Sequence, residues 1–237
     1  MQNTLRLLMI LGLAAVSAFG STITFFTPIG ATVTDGPVSA TAEFTTGSNS
    51  LFISLTNTLA NINSVGQALS DLAWTFDGTL VGTSMSASSG NLISIAADGT
   101  YTSLGLDSTG WELDATGLRV CALCADVAGP SRLIVGPPDA NNVYSNANGS
   151  IAGNTPHNPF LNGAATFQIT VPGLTADSAV TSATFSFGTK EGVNVPGVCV
   201  GDCGGGSGTA ELPEPGTWLL LGSGGLLLAL GRKKLIC

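Results

Sequence analysis

The sequence predicts an all-β body, an antiparallel two-sheet sandwich, with a separate C-terminal transmembrane helix. Three observations carry this expectation. Short segments alternate apolar and polar residues with period two. Glycine, asparagine and aspartate mark turns between them, and the chain holds 32 glycines. No βα rhythm and no uninterrupted amphipathic helix appears in the body.

The elements follow in chain order. Residues 1–20 read as a signal peptide: Arg6 is the only charge before an apolar run, and Ala18 and Gly20 are small residues before a cut at Ser21. That run is shorter than the roughly 20 residues needed to span a bilayer. Residues 39–44 and 51–55 form a hairpin around Gly47, with Phe44, Leu51, Ile53 and Leu55 on one inward face. The best helical stretch, residues 58–71, is interrupted by Asn61, Asn63 and Gly66. Leu72, Trp74 and Phe76 alternate into an Asp77-Gly78 turn. Residues 100–104, 118–123 and 132–135 are shorter strands. Phe167, Ile169 and Val171 alternate up to Pro172-Gly173, and Ala183, Phe185 and Phe187 alternate through residues 181–187. About nine strands result, and their order, jelly-roll-like or immunoglobulin-like, stays open.

Residues 139–160 break the pattern with a long loop dense in asparagine and turn formers, holding Tyr144 and the single histidine, His157. Such a loop reads as a surface crossing whose amides satisfy its own backbone; polar loops on a rigid sheet also carry recognition. One histidine between Pro156 and Pro159 reads as a turn residue, and it cannot build a multi-histidine metal site. Residues 201–211 are a glycine-rich linker.

The body assigned to residues 21–200 is long enough for one hydrophobic core. All 15 acidic residues lie between Asp35 and Glu214, opposed there only by Arg119, Arg132 and Lys190. Such a balance excludes a nucleic-acid partner, whose phosphates require lysine and arginine. Enzyme chemistry has little footing. The body has no G-x-S-x-G elbow, no P-loop and no dinucleotide fingerprint, and Glu43, Glu112 and Glu191 show no neighbour that would raise a carboxyl pKa. Asp107-x-x-Gly110-x-Glu112-x-Asp114 offers closely spaced oxygen ligands for a structural calcium, although it departs from the EF-hand loop and reads first as a solvated turn. No other cofactor is implied.

Four cysteines fall in two close pairs, Cys121-x-x-Cys124 and Cys199-x-x-x-Cys203. After export they form two disulfides, with three pairings open. If Cys121 and Cys124 share a strand they point apart, less than ideally for local closure, which keeps cross-pairing to the C-terminal pair among the open pairings. Four thiolates also suit zinc, but the oxidising compartment and the second spacing speak against it. A thioredoxin-like role lacks the βαβ setting.

The tail, residues 212–237, is the most specific segment. Pro213-Glu214-Pro215 precedes an uncharged apolar stretch, residues 217–231, and then Arg232, Lys233 and Lys234. This order suits a membrane-entering segment held by cytoplasmic positive charge. It resembles the PEP-CTERM sorting signal of Gram-negative bacteria over residues 212–235. The resemblance implies recognition by exosortase, an integral-membrane transpeptidase-like enzyme, after passage through the Sec translocon and signal peptidase. It implies cleavage near the Pro-Glu-Pro and delivery of the body to the cell surface or an exopolysaccharide matrix. Residues 159–188 also resemble the closing strands of bodies that carry this tail, with no catalytic role attached.

The leading expectation is an exported, non-enzymatic surface or matrix protein. A second is a carbohydrate- or calcium-binding adhesion module using Trp111 and Tyr144 as sugar platforms, with Trp74 assigned to the core. A third is a secreted glycan hydrolase, which needs two carboxylates facing each other across a cleft at roughly 5–9 Å.

Overall fold

The computed structural model describes residue 20, residues 22–77, 82–124 and 132–200, and residue 203. All of them belong to the first of two units into which the chain divides, Met1–Ser207. The signal segment with its cut before Ser21, nearly all of the linker 201–211, and the tail with Pro213, Glu214, Pro215, Arg232, Lys233 and Lys234 lie outside the described residues. Among the described residues no helix is long and apolar enough to cross a membrane.

The described chain is all-β. In order its strands are β1 (Thr22–Phe26), β2 (Thr32–Val33), β3 (Gly36–Pro37), β4 (Ala40–Gly47), β5 (Ser50–Asn57), β6 (Leu69–Phe76), β7 (Ser84–Ile95) and β8 (Tyr101–Asp107). There follow β9 (Glu112–Leu113), β10 (Arg119–Cys121), β11 (Ile134–Val135), β12 (Phe160–Thr170), β13 (Val180–Phe187), β14 (Asn194–Pro196) and β15 (Val198–Val200). One 3-10 turn, Val65–Gln67, sits inside the stretch where helix is interrupted by Asn61, Asn63 and Gly66.

Thirteen strands form one sheet along the path β14-β13-β6-β11-β12-β5-β4-β1-β15. β10 joins β6 and carries β9, while β7 joins β12 and carries β8. β2 and β3 make a separate two-stranded sheet. The expectation of a purely antiparallel arrangement needs one correction: β11 and β12 are parallel, with Ile134 opposite Leu161. Parallel neighbours require a long crossover, and the loop after β11 supplies it.

The hairpin has the expected geometry. Phe44 pairs with Ile53 and Ala42 with Leu55, and Asn49 takes the left-handed conformation (φ 53°) that closes the tight turn. Phe44, Leu51, Ile53 and Leu55 are fully buried, as are Leu72, Phe185 and Phe187. The sheet folds over so that inward faces of distant strands meet, which makes the architecture sandwich-like. Phe44 of β4 lies 6.1 Å from Trp74 of β6, and Phe25 of β1 meets Phe44 edge-on at 5.9 Å.

The two ends of the sheet path are one continuous segment. β14 pairs with β13 at one end, β15 pairs with β1 at the other, and Gly197 lies between them. Its amide donates to the Ala183 carbonyl at 2.8 Å. A Cβ there would stand 3.0 Å from that oxygen and 3.1 Å from the Phe185 ring, so only glycine fits without displacement.

Candidate functional site

The outer face of the β10-β6-β13 strip carries the most unusual electrostatics among the described residues. On β6, Leu72 and Trp74 point into the core, so Asp71 and Ala73 point outward. Asp71 stands opposite Cys121 of β10 on one side and Ser186 of β13 on the other. Arg119 of β10, opposite Ala73, reaches diagonally back, and its Nε donates to Asp71 Oδ2. Its Nη2 donates to Glu191 Oε1 at 2.9 Å. Glu191 belongs to the loop of residues 188–193, between β13 and β14. Ser186 Oγ donates to Asn194 Oδ1 at 2.7 Å beside them. Together with Thr184, these groups line a cavity of about 420 Å³.

Asp71 is only 4 % exposed, and its Oδ1 has no hydrogen-bond partner among the described residues. Burial pushes its carboxyl up to about 6, although the charge and hydrogen bond of Arg119 pull the other way; Glu191 and Asp114 add to the rise. Burial also works against the Arg119 charge, but Glu191 and Asp71 outweigh it and hold the guanidinium above its usual value. Chemically the arrangement is a guanidinium clamped between two carboxylates, one buried and one on a loop. It fixes the loop of residues 188–193 against the sheet. A hydrolase pair needs its carboxylates on either side of a scissile bond, and here Arg119 occupies the space between them, bonded to both.

Sequence reasoning missed Asp71. The available signal was an acid on the outward side of an otherwise apolar strand, with Arg119 at outward parity on a neighbouring segment. The pairing of those strands and the arrival of Glu191 are tertiary facts that spacing does not contain.

The expected site residues are placed as follows. Trp111 and Tyr144, expected to stand out as platforms, are buried at 4 % and 1 % exposure, which corrects that expectation. The Trp111 Nε1 donates to the Arg132 carbonyl at 2.9 Å, and its ring lies 5.4 Å from Phe167. The Tyr144 hydroxyl donates to the Gly136 carbonyl at 2.9 Å, its ring meets Tyr101 at 5.7 Å, and burial pushes its pKa up. Each ring thus satisfies its polar atom inside the fold and offers no face to a ligand. Trp74 is in the core as expected.

The cysteines pair locally, Cys121 with Cys124 and Cys199 with Cys203, at Cα separations of 5.4 and 6.4 Å. Of the three open pairings, the local one is the one present, and cross-pairing is not. β10 ends at Cys121, the chain turns through Ala122 and Leu123, and the strand alternation that would have pointed Cys124 away does not extend that far.

The Asp107-to-Asp114 stretch is spread over β8, a turn and β9. Asp107 pairs with Arg132 at 3.1 Å, and Asp114 Oδ1 accepts from the Thr116 amide and hydroxyl. Among the described residues no three histidine, cysteine or acidic side chains gather as metal ligands. His157 sits in a turn, its amide donating to the Asn154 carbonyl at 3.3 Å. Glu43 is exposed on β4, away from the Asp71 cluster.

Comparison with protein-family models, curated proteins and solved structures finds no match.

Proposed function

We propose that this chain is an exported, non-enzymatic surface or matrix protein, sorted by an exosortase-type system to the cell surface or an exopolysaccharide matrix. Its folded-over sheet is then read as a two-layer sandwich displayed outside the cell. The observation that carries the reading is the pair of local disulfides, Cys121–Cys124 and Cys199–Cys203, in a body followed by the Pro-Glu-Pro, apolar and basic order of residues 213–234. Disulfides persist in oxidising compartments, which agrees with the N-terminal segment read as a signal. The Asp71, Arg119 and Glu191 cluster supports a structural rather than a catalytic body, because each charge is committed to holding a loop.

Intact mass of the mature protein from surface and culture fractions tests the proposal. The expected species begins at Ser21, has lost everything beyond the Pro-Glu-Pro region, and gains about four hydrogens on reduction, two for each of two disulfides. A full-length C-terminus retained in the inner membrane would make the tail a plain anchor and remove the sorting reading.

A further inference from the structure

The strand directions divide the body into two ends. Thr24 of β1 faces Val200 of β15 in antiparallel register, so the chain enters and leaves the sheet at the same end. Following the register through β4, β5 and β12 puts the β4–β5 turn at that end too. At the opposite end lie the segment after β1, the residues between β5 and β6, the long loop before β12, and the loop after β13.

These four segments are tied to one another. The 3-10 turn Val65–Gln67 is the hub, capped by Ser64, whose hydroxyl accepts from the Gly66 amide. Gln67 Nε2 donates to the Pro37 carbonyl at 2.8 Å, which fastens the first segment. The Val65 amide donates to Ser150 Oγ at 2.9 Å, which fastens the long loop. The Gly188 amide donates to the Ala68 carbonyl at 2.8 Å, which fastens the loop of residues 188–193. Between them is a cavity of about 400 Å³, separate from the one lined by Asp71. That volume lies within the range of small-molecule pockets, about 300–1,000 Å³.

The lining is chemically particular. Thr34, Ser64, Ser150, Thr189 and Asn148 line the cavity beside the half-buried Val65 and Val193, with Ser64 and Ser150 already bonded to the turn through their hydroxyl oxygens. The charged groups are Asp35 and Lys190, one of each sign. Among the described residues, neither of these two side chains makes an ion pair or hydrogen bond. Gly66 is required for the shape: a Cβ there would lie 2.0 Å from Asp35 Oδ2, so the missing side chain is what lets that carboxylate lean over the turn.

From this geometry we infer that the cavity is a binding site for a neutral saccharide. A pyranose presents dense hydroxyl donors and acceptors at its edge and apolar C–H groups on its face, matching the two kinds of surface here. Asp35 and Lys190 together give the lining no net charge, so neither an anion nor a cation gains overall, and a wholly apolar ligand would strand both. The loops are already bonded to their hub, so little ordering accompanies binding. The inference draws on the surface reading above only for the ligand's being outside the cell.

The test uses the full chain, purified with its disulfides intact, titrated calorimetrically with neutral gluco-, manno- and galacto-hexasaccharides and with a galacturonate hexamer. At least one neutral oligomer is expected to bind at about 1 mM or tighter, weakened about tenfold or more by Asp35→Ala and by Gly66→Ala. Phe52→Ala, on a different surface, leaves binding unchanged. Asp35 is exposed, so its variant folds even if Gly66→Ala does not. No binding by any neutral oligomer, binding that survives Asp35→Ala, or equal affinity for the uronate would overturn the inference. Binding by a protein that stays in the inner membrane would sustain this site and defeat the sorting proposal. Correct sorting without binding would do the reverse.

Discussion

A carboxylate buried on the outer side of a sheet is expensive unless its charge is returned by partners, and Arg119 returns only part of it for Asp71. The consequence is a pH dependence with a definite sign. In the unfolded chain Asp71 titrates near 3.8, and in the folded protein near 6. Between those values the folded state keeps a proton that the unfolded state has lost. The contribution of this group to stability is therefore full below the unfolded value, is lost as pH rises to about 6, and stays lost above it. Asp71→Asn removes the titration. Urea unfolding of the two proteins should show the parent gaining on the order of 2–3 kcal/mol relative to the variant between about pH 7.5 and about pH 4. Asp98 and Asp139, held below their usual range by hydrogen bonds, lose stability at the acid end in both proteins and cancel in the comparison. Parallel pH profiles would show that Asp71 is not the buried acid described. At Trp111 the expectation is purely structural. Trp111→Ala should cost about 3–5 kcal/mol of stability by denaturant titration. The Trp111 share of the emission, taken as the difference between the parent and Trp111→Phe, should stay unmoved by oligosaccharide, since that indole is committed to Arg132 and Phe167.

Among the elements, the local disulfides make the most direct prediction. Cys199–Cys203 closes a loop over a sequence separation of only 4, starting from the middle of β15. Replacing both cysteines by serine should lower stability by about 2 kcal/mol, because so short a loop restricts the unfolded chain little. Non-reducing peptide mapping should recover each pair within one peptide, and a cross-linked peptide joining residues 121 or 124 to 199 or 203 would refute the arrangement. Element by element, the strands with clean alternation were legible: β4, β5, β6, β12 and β13 bury the residues their period-two pattern selects. What alternation could not carry was partnership. β11 is two residues long and parallel to β12 because of where a long loop returns, which no local pattern encodes. Trp111 lies next to a turn in sequence, and it is buried because the Arg132 segment packs over it from 21 residues away. The cavity at the far end of the sheet was illegible for the same reason, being assembled from four segments whose common feature is the 3-10 turn with its flanking Ala68, to which the other three bond. The 139–160 loop bonds part of its own backbone, as the Asn154, Asn148 and Asp139 hydrogen bonds illustrate, and its Asn148 and Ser150 also line the cavity.

At the scale of the whole molecule, residues 194–200 decide whether the sheet behaves as one body. Free sheet edges present unpaired backbone groups. Here β14 and β15 close the two ends of the main strand path with a single segment, while β8 and β9, off that path, are paired on one side only. The turnover point is Gly197, where β1 and β13 approach closely enough that its missing Cβ matters. The segment thus couples strands that are distant in sequence, Phe25 on one side and Ala183 and Phe185 on the other. Gly197→Ala should force this contact apart at a cost of about 1–3 kcal/mol, the usual range for overpacking. Gly149→Ala, where a Cβ meets nothing within 4 Å, should change stability by no more than about 0.5 kcal/mol. Hydrogen exchange distinguishes loss of coupling from simple local strain. If the segment closes the sheet, amides of β1 and β13 lose protection together in Gly197→Ala, because releasing one side of the crossing releases the other. Deprotection confined to β14 and β13, with β1 unaffected, would mean that the two halves hold independently and that the shared segment is a connection rather than a closure.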